Sequence, residues 1–224
     1  GEGLNMGMLR IGFWPGGDRD GNPYVGAETT LRVARKLKLT LLRSYRKELR
    51  EMRRLVTFKG LEGELDLLQS MIEESIFNSS DLSLKQEVLL DGLSRLERRV
   101  EEEFNGLYLD QIRQLMFKVR MFGMHFASLD IRQDARVVKK AFLALLEAQS
   151  GAGAAEAFES MSEAEALDFL FAHDQPFDGT LEEDRHQDVL DSLRAMQEIQ
   201  RHNGEAGCHR FILSNCARSE EPHV

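Results

Sequence analysis

ASLDIR, residues 127–132, alternates small or apolar with polar side chains over six positions. Side chains on a strand point to opposite faces in turn. Ala127, Leu129 and Ile131 therefore share one face, and Ser128, Asp130 and Arg132 share the other. The strand is expected over 126–131, and a helical pattern follows over 134–149. A parallel strand covered on both faces reads apolar throughout; this one has a single face fit to pack on helices. Its other face is polar and ends in an arginine. In an α/β barrel the C-terminal ends of the strands line the site, and an arginine there grips phosphate or carboxylate through its planar fork. The pattern alone puts a plainer reading first, an Asp130–Arg132 ion pair on a solvated edge strand.

A second strand with the same character is expected upstream, over 8–14. Leu9, Ile11 and Phe13 form one face; Arg10, Gly12 and Trp14 form the other. Trp14 opens WPGGDRDGNP, residues 14–23. Gly supplies backbone angles other residues avoid, Pro fixes φ, and Asp and Asn bond nearby amides. Asp18 and Asp20 flank Arg19, and charge-assisted bonds between them would fix the loop. Arg19 thus reads as a structural ion-pair partner and not as a ligand. Asp18, Arg19, Asp20 and Asn22 together form a scaffold for the mouth of a site. Two strands then deliver polar or aromatic groups to one end of a sheet.

Between and beyond these strands the spacing is helical, over 27–57, 65–77, 84–104 and 107–121. Residues 78–81, Asn-Ser-Ser-Asp, are a break rich in capping residues. Residues 150–155 read as a mobile small-residue surface loop. Ser162 and Glu165 form a capping box, 173–179 is a loop, 181–202 is helical, and 210–214 is a third strand. Strands separated by helical stretches imply parallel pairing with helical crossovers. Three strands cannot close a parallel barrel, which needs eight. The chain is either a mainly helical domain with a small sheet or part of a larger barrel.

Composition narrows the function classes. The chain has 224 residues, 42% of them apolar, and a net charge of −9. That acidity disfavours a nucleic-acid partner. The segment 32–54 holds ten Lys or Arg against two Glu, but no aromatic platform accompanies it, so it reads as a solvated face or subunit contact. No apolar run is long enough for a bilayer and no signal-peptide pattern opens the sequence, so no membrane partner is expected. Two cysteines, Cys208 and Cys216, are too few for a disulfide framework, and a reducing cytoplasm fits them. His173 and Asp174 lack metal-ligand spacing, and Ser44, Ser79 and Ser128 lack a surrounding His/Asp motif.

FWPGGDRDGNP (13–23) and HFASLDIRQDAR (125–136) resemble two signature segments of the phosphoenolpyruvate carboxylases, in the same order and with a similar helical spacer. SEAEALDFL (162–170) and HRFILSNCA (209–217) resemble the segments that follow. The GGDRDGNP string is highly specific, and the resemblance covers nearly the whole chain. It implies a mainly α fold with a few parallel strands, a partial α/β (TIM-type) barrel, with residues 1–224 as one internal segment of a larger enzyme. It implies a cytoplasmic homotetramer that adds bicarbonate to phosphoenolpyruvate, giving oxaloacetate and phosphate with Mg²⁺ or Mn²⁺. By position it makes Arg132 a phosphate-binding residue and places Trp14 in a pocket close to the substrates.

Several parts of that family's pattern do not occur in this sequence. The TAHPTE-like motif with the catalytic His, the later Gly-rich loop with its Arg, and the metal-binding carboxylates are not found. No catalytic residue and no metal ligand is therefore expected within the chain, and alone it is expected to be inactive. The last eight residues, 217–224, read as foreign to the family. The alternative is a non-catalytic helical interaction domain that keeps these segments as a relic.

Overall fold

The computed structural model describes residues 10–19, 22, 24–56, 60–78 and 84–216. Expectations for Met8, Leu9, Asp20, most of the 78–81 break and the last eight residues lie outside them. The described elements run β1 (Gly12–Phe13), α1 (Ala27–Leu55), α2 (Glu62–Phe77), α3 (Gln86–Glu103), α4 (Leu109–Phe122), β2 (Ser128–Asp134), α5 (Ala135–Ser150), α6 (Ala154–Glu159), α7 (Glu163–Ala172), α8 (Asp184–Asn203) and β3 (Arg210–Ser214). A single 3-10 turn, Glu205–Gly207, joins α8 to β3.

The three strands form one parallel sheet in the order β1-β2-β3. β2 is therefore central, not the edge strand of the plainer sequence reading. It also runs three residues further than the alternation suggested. β3 pairs with it from Asp130 to Asp134, and those main-chain bonds hold Arg132, Gln133 and Asp134 extended.

Helix α1 links two cores. At about 1.5 Å per residue its 29 residues reach roughly 43 Å. Its C-terminal half packs Leu42, Tyr45, Leu49 and Met52 against α2, α3 and α4, in a helical core that includes Leu65, Ile72, Leu93, Leu96, Ile112 and Leu115. Its N-terminal half places Ala34 against Leu129 and Ile131 of β2, Ile199 of α8 and Cys208. The apolar face read from 127–132 is thus the face that meets the helices. Burial and the nearby Asp130 push the Cys208 thiol up to about 12, so it remains an inert core residue.

The basic run on α1 is not simply a solvated face. Arg50 pairs with Glu73 and Arg53 with Asp66, both on α2. Lys38 is fully buried, and its ammonium donates to the main-chain oxygens of Leu84 and His202. His202 lies in the last turn of α8, where carbonyls lack helical partners and a cation is favoured.

Residues 150–155 are not a loose loop. α5 runs to Ser150, and Gly151 and Gly153 take φ of +91° and +93° to turn directly into α6. The Glu147 carboxylate accepts from the main-chain N–H groups of Gly153 and Ala155 and closes that turn. The capping box of Ser162 and Glu165 is present at the start of α7. Before α8, residues 181–183 are not helical, and the Leu181 N–H instead donates to the Gln187 side chain at 2.7 Å.

Lys38→Met keeps the apolar stem but strands two buried carbonyls. It is expected to cost about 2 kcal/mol or more in denaturant unfolding. A variant as stable as the parent would show that Lys38 does not hold α1 to α8.

Candidate functional site

The site is built at the C-terminal end of β1 and β2. After Phe13 the chain leaves the sheet through a turn closed by the Gly17 N–H donating to the Trp14 carbonyl at 2.8 Å. It then returns to β2. Arg132 N–H donates to the Gly17 carbonyl at 2.8 Å, Arg19 N–H donates to the Arg132 carbonyl at 3.1 Å, and Asp18 bridges Arg132 in parallel register. Five steps from Phe13 to Asp18 thus span only three on β2, from Leu129 to Arg132. The excess is the projecting turn.

Both glycines of the turn are forced. Gly16 has φ of +89°, and a Cβ there would lie 2.6 Å from Val33 Cγ2 of α1. A Cβ on Gly17 would lie 2.0 Å from the Asp130 carbonyl oxygen, a main-chain atom of β2. Thr30 of α1 holds the turn from behind, its hydroxyl donating to the Gly16 carbonyl at 2.6 Å.

Arg19 is a structural ion-pair residue, but its partner is not the one expected. Its side chain is buried and reaches α8: Nη2 meets Asp188 Oδ1 at 2.7 Å and Nη1 meets the Asp188 carbonyl at 3.0 Å. Nε donates to the Val25 carbonyl at 2.9 Å. Burial lowers the Arg19 pKa and raises that of Asp188, each offset by the opposite charge. The Asp18 carboxylate faces Arg132 instead, with Oδ1 at 3.5 Å from Nη1. Asp20 lies outside the described residues. Asn22 closes the next turn, its side-chain oxygen accepting from Tyr24 N–H at 3.1 Å.

The polar face of β2 is a column of paired groups. Ser128 meets His209 Nδ1 at 3.3 Å. Asp130 pairs with Arg210 of β3 at 2.7 Å, not with Arg132. Asp134 caps α5 by accepting from Arg136 N–H at 2.8 Å, and it also binds the Arg136 guanidinium and Asn215. Those bonds, that from Arg136 first, hold the Asp134 carboxyl well below the usual carboxylate range. The structure brings Asp18 and Arg132 together at one end of the sheet and sends Arg19 away to α8. Trp14 begins the turn at the same end, 63% exposed. Sequence reading missed Asp188, Thr30 and Arg210. No local signal marks them, because each acts across a long separation.

Among the described residues no three His, Cys, Asp or Glu side chains converge as a metal site. Among the described residues of the turn and β2, the acids Asp18, Asp130 and Asp134 each face an arginine. This set does not fit a divalent cation. No helix among the described residues is long and apolar enough to cross a membrane.

A small parallel sheet with helical crossovers, in a mainly helical chain, carries a half-exposed arginine in the C-terminal half of its central strand. The sequence profile described as Phosphoenolpyruvate carboxylase matches residues 3–81 and 68–221. The chain belongs to the phosphoenolpyruvate carboxylase family. That match takes in most of the last eight residues, which the sequence reading had set apart. The phosphoenolpyruvate carboxylase of Shewanella loihica is 30% identical over 167 residues, 57% of this chain and 18% of the relative. That of Nitrosomonas eutropha is 27% identical over 252 residues, and that of Thermosynechococcus vestitus 25% over 274, each covering 92% of this chain. The chain spans only about a fifth to a quarter of the length of these relatives. The two longer alignments exceed the chain itself, so those relatives carry inserted residues within the matched region.

Gly17→Ala is expected to destabilise by at least about 2 kcal/mol, because main chain and not a flexible side chain opposes the new methyl. Gly63→Ala is the contrast. Gly63 lies inside α2 with open space around it, and the change should stabilise by about 1 kcal/mol. Equal unfolding midpoints for the two variants would contradict the close approach of the turn to β2.

Asp134 supplies a pH dependence with a fixed sign. Its folded pKa is depressed, so its contribution is present at neutral pH and lost as pH falls. Asp134→Ala should be less stable than the parent at pH 7, and the gap should narrow below the unfolded carboxylate pKa of about 3.9. A gap constant between pH 7 and pH 3 would contradict the pairing.

Proposed function

We propose that this chain is a segment of a phosphoenolpyruvate carboxylase that supplies part of the phosphate-binding end of the site. The carrying observation is the placement of Arg132 in the C-terminal half of a central parallel strand, two residues before its end, held there by main-chain bonds to the GGDR turn on one side and to β3 on the other. In the reaction a bicarbonate oxygen attacks phosphorus and the bond to the enol oxygen breaks, giving carboxyphosphate and the enolate of pyruvate. Carboxyphosphate releases phosphate and CO₂, and the enolate carbon attacks CO₂ to give oxaloacetate. Negative charge moves across the phosphoryl oxygens throughout, and a fixed guanidinium stabilises it as it shifts. Arg132 serves that role, Asp18 orients it, and Trp14 walls the site. The parallel strands with open edges at β1 and β3 support a partial TIM-type barrel completed by other parts of the polypeptide. Mg²⁺ or Mn²⁺ would be held by ligands outside this chain. The parent enzyme in this reading is a cytoplasmic homotetramer acting in carbon fixation on phosphoenolpyruvate and bicarbonate.

Arg132→Lys in the full-length enzyme keeps charge but loses the fork. kcat/KM should fall by roughly two to three orders of magnitude, with Lys only a partial improvement over Ala. The melting temperature should change little, since the ion pair with Asp18 is long and half-exposed. A lowered melting temperature with turnover intact would show Arg132 to be structural.

The isolated chain should form no oxaloacetate from phosphoenolpyruvate, bicarbonate and Mg²⁺ in a coupled assay. Turnover above blank would mean that the chain carries a complete site of its own.

A further inference from the structure

A polar cavity, of about 250 Å³, lies at the other end of the sheet from Arg132. It forms where the chain enters each strand. Arg10 leads into β1, His125 sits in the turn before β2, and His209 and Arg210 open β3. Arg120, in the last turn of α4, closes the side. Among the described residues no carboxylate lines it. Asp130 answers the charge of Arg210, but among the described residues neither Arg10 nor Arg120 has an ion-pair partner. The wall is polar as well as cationic, because Ser128 and Gln86 face the same space.

The cavity is held rigidly. Gly123 and Phe126 take φ of +54° and +67°, and a Cβ on Gly123 would lie 2.9 Å from the His125 ring. The Tyr45 hydroxyl donates to the Gly123 carbonyl at 3.0 Å, and Gln86 donates to Val119 at 2.9 Å, tying α1 and α3 to the same corner. Burial holds the His125 pKa down, helped by the neighbouring His209. The volume falls below the roughly 300 Å³ at which pockets for drug-sized ligands begin, so a nucleotide would not fit.

We infer that this cavity binds a small oxyanion, a phosphate or carboxylate group, at the N-terminal end of the sheet and apart from the Arg132 end. Apart from Arg210, the guanidinium and imidazole groups that line it, those of Arg10, Arg120, His125 and His209, meet no carboxylate among the described residues, and such donors suit oxyanions. The test titrates inorganic phosphate into the purified chain at constant ionic strength, with chloride as the balancing anion. Histidine ring signals are followed by NMR and assigned with His125→Gln and His209→Gln. The His125 and His209 signals should move together and saturate. Arg120→Ala changes an exposed side chain and should weaken the midpoint about tenfold, whereas Arg132→Ala should leave it unchanged. Arg10→Ala serves in place of Arg120→Ala if circular dichroism shows the latter unfolded. Absence of a saturable shift at these two histidines, or a midpoint unchanged in the folded arginine variant, overturns the inference. So does loss of the shift in Arg132→Ala, which would place the phosphate at the opposite end.

Discussion

The approach of Gly17 to the main chain of β2 is the constraint on which the rest of this structure depends. With no Cβ in the way, the chain after β1 lies directly over Asp130 and exchanges hydrogen bonds with Arg132 on both sides. That contact fixes where the turn projects, and it sets Asp18 opposite Arg132. It also points Arg19 toward α8, where two hydrogen bonds to Asp188, with a third to the Val25 carbonyl before α1, hold its buried guanidinium. A buried arginine stripped of its acid would be costly, so the turn, the sheet and α8 hold one another in place. Thr30 extends the same linkage to α1.

Helix α1 carries this order from the sheet to the helical core. The two cores share no buried residue, and α1 contributes side chains to both. Its surface pairs with α2 are individually weak, as half-exposed ion pairs are. The stronger tie is the buried Lys38 ammonium, which joins α1 to the end of α8 and to the segment entering α3. The position of the sheet relative to the bundle is therefore set by polar contacts of one helix as well as by packing.

The polar face of β2 shows how a central strand can keep charged residues. Ser128, Asp130, Arg132 and Asp134 each meet a partner from outside β2: His209 and Arg210 at the start of β3, Asp18 of the turn, and the start of α5. Charges on such a face are tolerated because each is answered by an opposite charge or a hydrogen bond. The pairs differ in closeness. Asp130 and Arg210 meet at 2.7 Å, whereas Arg132 and Asp18 stand at 3.5 Å and remain half-exposed.

The amino-acid sequence by itself determined the elements and the family. Alternation over 127–132 marked the strand and its buried face, helical spacing marked α1 to α4, and Ser162 with Glu165 marked the start of α7, because these signals are local. The GGDRDGNP and LDIRQ segments marked the family in the same way, since their residues are close in sequence. Tertiary structure alone decided the pairings. Arg19 turns from its neighbour Asp18 to Asp188, 169 positions away, and Asp130 turns from Arg132 to Arg210. Side chains two apart on a strand share a face but stand along one line, whereas a neighbouring strand or helix offers a partner at hydrogen-bonding distance. The length of β2 was likewise hidden. Hydrogen bonds from β3 extend it to Asp134, and a strand's end depends on what lies beside it.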